Sequence, residues 1–281
     1  MRDQILESSP HWKINWLSLP TGIKVRVGQY QQGAQEKKKF LVFLNGRNEY
    51  IEKYSHVPLD LDLGEDVGFV TWDHRGQGKS EGSRASAQLY DLYTEDMKYI
   101  LEATLPAGST YKVMGHSMGS LIGLTGVVQE KIHPESLLLL SPLLGLPYSD
   151  REMIFVRFAL KTLQALGFAN WELKKNRQLP AFENNSLTSS RERYEGFINS
   201  DYYQKGYKVG WLNASIKATQ FVFQKINFDF VKGAPLPSLD CQSFVLFALL
   251  SCFRDVDRQA AFEAGFFVAL PRALIFFAML W

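Results

Sequence analysis

The sequence has little cysteine, little histidine and almost no net charge. Its two cysteines, Cys241 and Cys252, are too few for a disulfide framework and are not at metal-ligand spacing. They read as buried free thiols. The formal net charge is +2, and no block of like charge is longer than Lys37-Lys38-Lys39, which reads as a solvated turn. Nothing in this balance points to nucleic acid as a partner. There are five histidines, and residues 134–281 contain none. The opening Met1-Arg2-Asp3-Gln4 carries an acid and no apolar core follows it, so no secretory leader is expected. One run is nearly free of charge: residues 264–281 hold only Arg272. That is close to the length of a membrane span. However, Arg272 falls near its middle beside Pro271, where an arginine costs about 2.5–3.5 kcal/mol on insertion scales. A core helix followed by a buried strand accounts for the same composition.

What is present is an ordinary globular composition, 46% hydrophobic and 21% charged over 281 residues. The length suits one α/β domain with an inserted segment, or two small domains. Residues 12–30 alternate loosely around the turn Pro20-Thr21-Gly22 and read as a β-hairpin. Short apolar runs then recur at residues 40–44, 67–72, 111–114 and 137–140, with helical stretches at 89–105 and 120–131. Continuous apolar strands alternating with helices imply a mostly parallel sheet with helices on both faces. The pattern breaks after Pro142. Residues 143 to about 231 read as helical and are rich in aromatics: Trp171, Tyr194, Phe197, Tyr202, Tyr203, Tyr207 and Trp211. They are extra helices on the core or a cap over a site. Their place favours a cap, because connections after the C-terminal ends of parallel strands border the ligand crevice. Strand and helix signals resume at residues 244–250, with a helix expected at about 258–270 and a strand at 273–280.

The chemistry centres on Gly115-His116-Ser117-Met118-Gly119. Gly-x-Ser-x-Gly carries weight where a strand precedes it and a helix follows, and both are expected here. Gly115 and Gly119 let a sharp turn approach neighbouring backbone. Ser117 is then the candidate nucleophile. The Met118 N–H, at the start of a helix, is a candidate donor to the oxyanion formed when Ser117 attacks a carbonyl. A second donor is expected from the loop after an earlier strand. In Leu44-Asn45-Gly46-Arg47-Asn48 the Arg47 N–H is the candidate, unless this is a simple strand-to-helix turn.

Three segments, in order, carry a resemblance. They are Asn45-Gly46-Arg47, then Asp73-His74-Arg75-Gly76-Gln77-Gly78-Lys79-Ser80, then the Ser117 elbow. Together they resemble the monoacylglycerol lipase and lysophospholipase branch of the α/β-hydrolases, of the serine aminopeptidase S33 type. The likeness covers about residues 12–142. Gly210-Trp211-Leu212 is similar, less specifically, to a stretch of bacterial lysophospholipase-like members. The resemblance implies an α/β-hydrolase fold: residues 1–142 and 233–281 form the core, and residues 143–232 form a helical cap inserted after the sixth strand. It also implies a triad in the order serine, acid, histidine. Neither Asp73 nor His74 is expected to be catalytic; Arg75 is expected to brace neighbouring loops, and the His116 side chain to point away from the reactive edge.

The family's base is a histidine in the loop after the last strand, and no histidine follows His133. For the acid, Asp255 stands at about the right place, although Cys252 replaces a glycine. Asp255 and Asp257 also read as helix N-terminal acids. The missing base leaves three readings: an altered chain end, a relative that binds but barely turns over, or an upstream histidine acting from an unusual direction. The expected function is hydrolysis of carboxylic esters of single-acyl lipids, monoacylglycerols or lysophospholipids, through an acyl-enzyme. The alternatives are a binding protein on the same fold, or an esterase or peptidase for small soluble substrates. No metal or organic cofactor is expected. The expected location is cytoplasmic, with contact to a membrane surface through the cap left open.

Overall fold

The computed structural model describes residue 6 and residues 9–33, 36–84, 89–146, 150–173, 181–185, 190–203, 206–225 and 244–248. Strands β1 (Trp12–Ser18) and β2 (Lys24–Tyr30) form the expected hairpin, in register from Trp12 opposite Tyr30 to Ser18 opposite Lys24. Gly22 closes it at φ 83°. β2 then pairs antiparallel with β4 (Val67–Trp72). From there the sheet is parallel: β4, β3 (Lys39–Leu44), β5 (Thr110–His116), β6 (Ser136–Leu140) and β9 (Phe244–Ala248). The whole is a seven-stranded sheet in the order β1-β2-β4-β3-β5-β6-β9. Lys39 opens β3 and Lys37 is buried. Lys38 and Lys39 are exposed, so the run is solvated at two of its three positions, but it is not a turn, because the chain is already entering the sheet there.

Alternation along the parallel strands builds two cores. Val42, Leu44, Val70 and Val113 face one side, where helices α2 (Leu89–Thr104), α3 (Met118–Val128) and α6 (Val209–Lys225) cover them. Phe43, Phe69 and Met114 face the other, against Trp12, Tyr30 and the 3₁₀ turn Ile51–Tyr54, which precedes the short α1 (Val57–Asp60). Burying both faces is what makes these strands continuous apolar runs. Between β6 and β9 lie α4 (Asp150–Ala165), α5 (Arg191–Ile198) and α6, with the two-residue pair β7 (Glu172–Leu173) and β8 (Tyr207–Lys208). α6 joins the main core through Trp211, Ala214, Ala218 and Val222, and turns Val209 and Ile216 toward Leu160 of α4.

The strand order reverses at β3. The chain leaves β3 outward to β4 and then returns to β5 on the other side. Loops leaving the C-terminal ends of β3 and β5 therefore flank a switch point, where open α/β sheets bind ligands.

A buried ion cluster ties these loops to the hairpin. Arg26 on β2 grips both Glu52 oxygens, at 2.6 and 2.5 Å, and its Nε donates to Asp73 Oδ2 at 2.9 Å. The Asp73 carboxylate also accepts the Ile51 and Lys79 amides, each at 2.9 Å. Arg75 braces the same loop against Asp96 through two bonds. Burial pushes the Glu52 carboxyl up, and Arg26 more than reverses it, so its folded pKa is depressed. The Glu52 contribution is then complete above the unfolded carboxylate value of about 4.3 and is lost as pH falls through the folded value, whereas burial raises the Asp73 carboxyl despite Arg26, so Asp73 acts in the opposite sense. Arg26→Met leaves two buried carboxylates without their cation. Urea unfolding at neutral pH is expected to show a loss of about 3–5 kcal/mol, with a smaller further loss on acidification than in the parent.

Candidate active site

Ser117 joins β5 to α3 with φ 50° and ψ −109°. Such a backbone costs a non-glycine residue on the order of 1–3 kcal/mol and persists only where its surroundings enforce it. Here the Ser117 N–H donates to Leu140 O at 2.9 Å, and its carbonyl accepts from Leu143 N at 3.1 Å. Two glycines make the turn fit. A Cβ on Gly115 would lie 2.6 Å from the Ser120 nitrogen, and one on Gly119 would lie 2.0 Å from the Leu44 carbonyl oxygen. The first turn of α3 thus sits directly on the end of β3. Ser117 is half-buried, and its side chain caps no helix amide. Met118 is fully buried, and its amide belongs to the first turn, whose N–H groups have no partner within the helix.

The loop after β3 is fixed by contacts that sequence reasoning missed. Glu49 is 3% exposed and collects four partners. The Gly46 N–H donates to it, Lys53 Nζ lies at 2.6 Å, Tyr54 OH at 2.7 Å and His116 Nδ1 at 3.1 Å. Burial pushes the Glu49 carboxyl up, but His116 and then Lys53 hold it well below the usual carboxylate range. A Cβ on Gly46 would lie 2.5 Å from Glu49 Oε2 and 2.9 Å from His116 Nδ1, so the loop closes only around glycine. With the Gly46 amide taken by Glu49, Arg47 supplies the next amide of the loop. Gln77 pins the far side: its Oε1 accepts the Asn48 N–H at 2.7 Å, and Asn48 sits at φ 64°. The only sequence signal for Glu49 was its four-residue spacing from Lys53, which is common on exposed surfaces.

The Arg47 side chain turns toward the segment after β6. Its Cζ stands 4.2 Å from the Tyr207 ring centroid and 5.1 Å from that of Trp211, and it donates to Gly206 O. Trp211 Nε1 in turn reaches Met118 Sδ at 3.4 Å. Tyr202 packs on Tyr50 at 5.0 Å, and the Phe197 ring lies 4.8 Å from Lys53 Nζ. Several aromatics noted in the sequence thus meet the loop after β3, and Trp211 touches the side chains of both oxyanion candidates.

The upstream histidines are engaged elsewhere. His74 Nδ1 accepts from Trp72 Nε1 at 3.1 Å, which places the ring proton on Nε2. Burial draws the His74 imidazole down to about 4, against weaker opposing pulls from the Asn45 backbone and Glu49. His116 Nδ1 faces Glu49, behind the elbow, and His56 lies 3.5 Å from Asp60. His11 and His133 are exposed. Asp255, Asp257, both cysteines and the final helix and strand expected from the sequence lie outside the described residues. Among the described residues no group of three or more His, Cys, Asp or Glu is placed to hold a metal, and no helix is long and apolar enough to cross a membrane.

A parallel sheet flanked by helices, with a strained serine between a central strand and a helix at the switch point, defines an α/β-hydrolase fold. Residues 35–228 match the family described as serine aminopeptidase, S33, and the chain belongs to that family. It is 29% identical over 149 residues to the probable lysophospholipase L2 of Haemophilus influenzae, covering 51% of this chain. The chain spans about half of that relative's length, 47%. A thermostable carboxyl esterase from Bacillus coagulans superposes with a TM-score of 0.58 at 14% identity, over 84% of this chain and 79% of that one. The monoacylglycerol lipase of Paleococcus ferrophilus gives 0.57 at 15% identity, over 72% of each chain. At these identities the structural likeness is one of fold.

Removing the Glu49 charge while keeping its shape tests what holds the loop. Glu49→Gln is expected to lower unfolding free energy by about 1–3 kcal/mol. It is also expected to flatten the acid limb of the stability curve, because a depressed carboxylate contributes above its unfolded value and loses that contribution as pH falls. An unchanged denaturation midpoint at both neutral and acid pH would refute the assignment.

Proposed function

We propose that the chain is a serine hydrolase for carboxylic esters of single-acyl lipids, lysophospholipids or monoacylglycerols. The observation that carries this is the Ser117 backbone, held at φ 50° with its side chain free of capping duty at the switch point of the sheet. Ser117 Oγ attacks the ester carbonyl as a histidine, oriented by the acid, takes the hydroxyl proton and passes it to the leaving alcohol. The Met118 and Arg47 amides receive the oxyanion, the alcohol leaves, and water releases the fatty acid. Residues 143–232 act as the cap and residues 233–281 return to the core, with Asp255 as the acid. Lipid as substrate is supported by the lysophospholipase and monoacylglycerol lipase among the similar proteins and by the aromatic lining around Arg47. Exposed Ile154, Phe155 and Phe158 on α4, with Phe168 and Trp171 beyond it, support contact with a membrane surface through the cap.

A second reading has its own observation. His74 and His116 are committed to Trp72 and Glu49, and no histidine follows His133. A serine without a base is a poor nucleophile, and losing the base in a serine hydrolase of another fold costs about 10⁶ in rate. The alternative is therefore a relative that binds single-acyl lipids without turning them over. A fluorophosphonate probe separates the two. On the hydrolase reading Ser117 labels, Ser117→Ala does not, and long-chain p-nitrophenyl esters turn over faster than with Ser117→Ala. Absent labelling, with turnover equal to that of Ser117→Ala, leaves the binding reading. A marked preference for short acyl chains would instead favour small soluble esters.

A further inference from the structure

The segment from Asp73 to Ser80, which follows β4, also presents a buried neutral side chain to the loop after β3. Gln77 is 1% exposed. Its backbone is fixed within a turn: the N–H donates to His74 O at 2.8 Å, and the carbonyl accepts from Ser80 N at 3.0 Å. Gly76 and Gly78 flank it at φ 70° and 50°, and a Cβ on Gly78 would lie 2.3 Å from the Asp73 carboxylate. From this turn the Gln77 side chain reaches two peptide groups. Its Oε1 accepts the Asn48 N–H at 2.7 Å, and its Nε2 donates to the Gly46 carbonyl oxygen at 3.4 Å. The second bond is long, and the Glu49 N–H adds a donor to the same oxygen at 3.4 Å. Arg84 ties the two loops together beside it, donating to Asn48 Oδ1 at 2.7 Å and to Gly76 O.

Those two peptide groups are the ones on either side of Arg47. A trans peptide is planar, with its C=O and N–H opposed. Holding the Gly46 oxygen therefore sets the direction of the Arg47 N–H, which lies in the same plane. Holding the Asn48 N–H sets the plane that carries the Arg47 carbonyl. One side chain thus constrains both backbone torsions of Arg47. That takes an acceptor and a donor on one short head, which a primary amide supplies and an ionised carboxylate does not. We infer that Gln77 is a positioning residue for the Arg47 amide as an oxyanion donor. The inference rests on the reading of Ser117 and Arg47 given above, and gives the turn between Gly76 and Gly78 a part in the reaction. A donor already held in place costs no reorganisation when the oxyanion forms.

The test follows the full chain on a p-nitrophenyl ester and on the matched thionoester, in which sulfur replaces the carbonyl oxygen. Sulfur is the weaker acceptor, so well-placed oxyanion donors favour the oxygen ester. Gln77→Met keeps the length of the side chain and loses both bonds. Gln77→Glu keeps acceptance from Asn48 and loses donation to Gly46, and it serves as the readout where Gln77→Met does not fold. Both are expected to lower kcat for the oxygen ester with KM little changed, Gln77→Met by about ten- to hundred-fold. Both are also expected to shrink the oxygen-to-sulfur rate ratio. A simple loss of folded protein lowers the two rates alike and leaves both that ratio and KM where they were. A parent-like ratio in the folded variants overturns the inference, and the turnover of the parent then leaves the hydrolase reading standing. A parent whose turnover equals that of Ser117→Ala overturns the reading of Ser117 and this inference with it.

Discussion

Gly119 lies so close to the Leu44 carbonyl that any side chain there would collide with backbone, at 2.0 Å. That approach presses the first turn of α3 onto the end of β3 and brings two strand ends together at the reversal in strand order. The elbow cannot relax while it holds. Ser117 is pinned from the other side by Leu140 and Leu143, so its unusual backbone is enforced by β3, β5 and β6 at once. Strain at a single residue is maintained by three neighbouring strands whose burial in two cores far exceeds its cost.

The charged groups around this point divide by sign. The acids are sealed off: Glu49 by Lys53, Tyr54, His116 and the Gly46 amide, and Glu52 and Asp73 by Arg26. Their carboxylates orient loops and have no charge to spare. Arg84 donates to the Gly76 carbonyl and the Asn48 side chain, and Arg47 lies over the Tyr207 and Trp211 rings with the Glu172 carboxylate acting on it. The loop after β3 and its neighbourhood therefore carry partly desolvated guanidinium groups. A negative charge developing on a carbonyl oxygen gains most in such a setting, because little water is present to screen it.

The legible parts of the sequence were those written locally. The strands showed as apolar runs because both sheet faces are covered, and the elbow showed because its motif is contiguous, although only Gly115 answers a local clash and Gly119 answers one with the distant Leu44 carbonyl. The hairpin showed through Gly22 and alternation. Glu49 and Arg26 showed nothing, since an acid or arginine in a loop or strand looks the same whether exposed or buried. Their meaning comes from partners 67 and 47 residues away, as in Glu49–His116 and Arg26–Asp73. The lysine run misled for the same reason. Three adjacent charges imply solvent only until the tertiary fold covers one of them, as it covers Lys37.

Placement of the serine and its activation are separable in this fold. Among the described residues, the contacts that hold Ser117 come from residues 44–143: the Leu44 carbonyl, the glycines, Leu121, Leu140 and Leu143. The proposed oxyanion amides belong to the same stretch, and Trp211 adds a contact from the segment after β6. In a serine hydrolase of another fold, the oxyanion and binding contacts alone retain about 10³–10⁴ over the reaction in water. The nucleophile motif is a packing requirement of β3 against α3, whereas activation is a separate requirement of proton transfer.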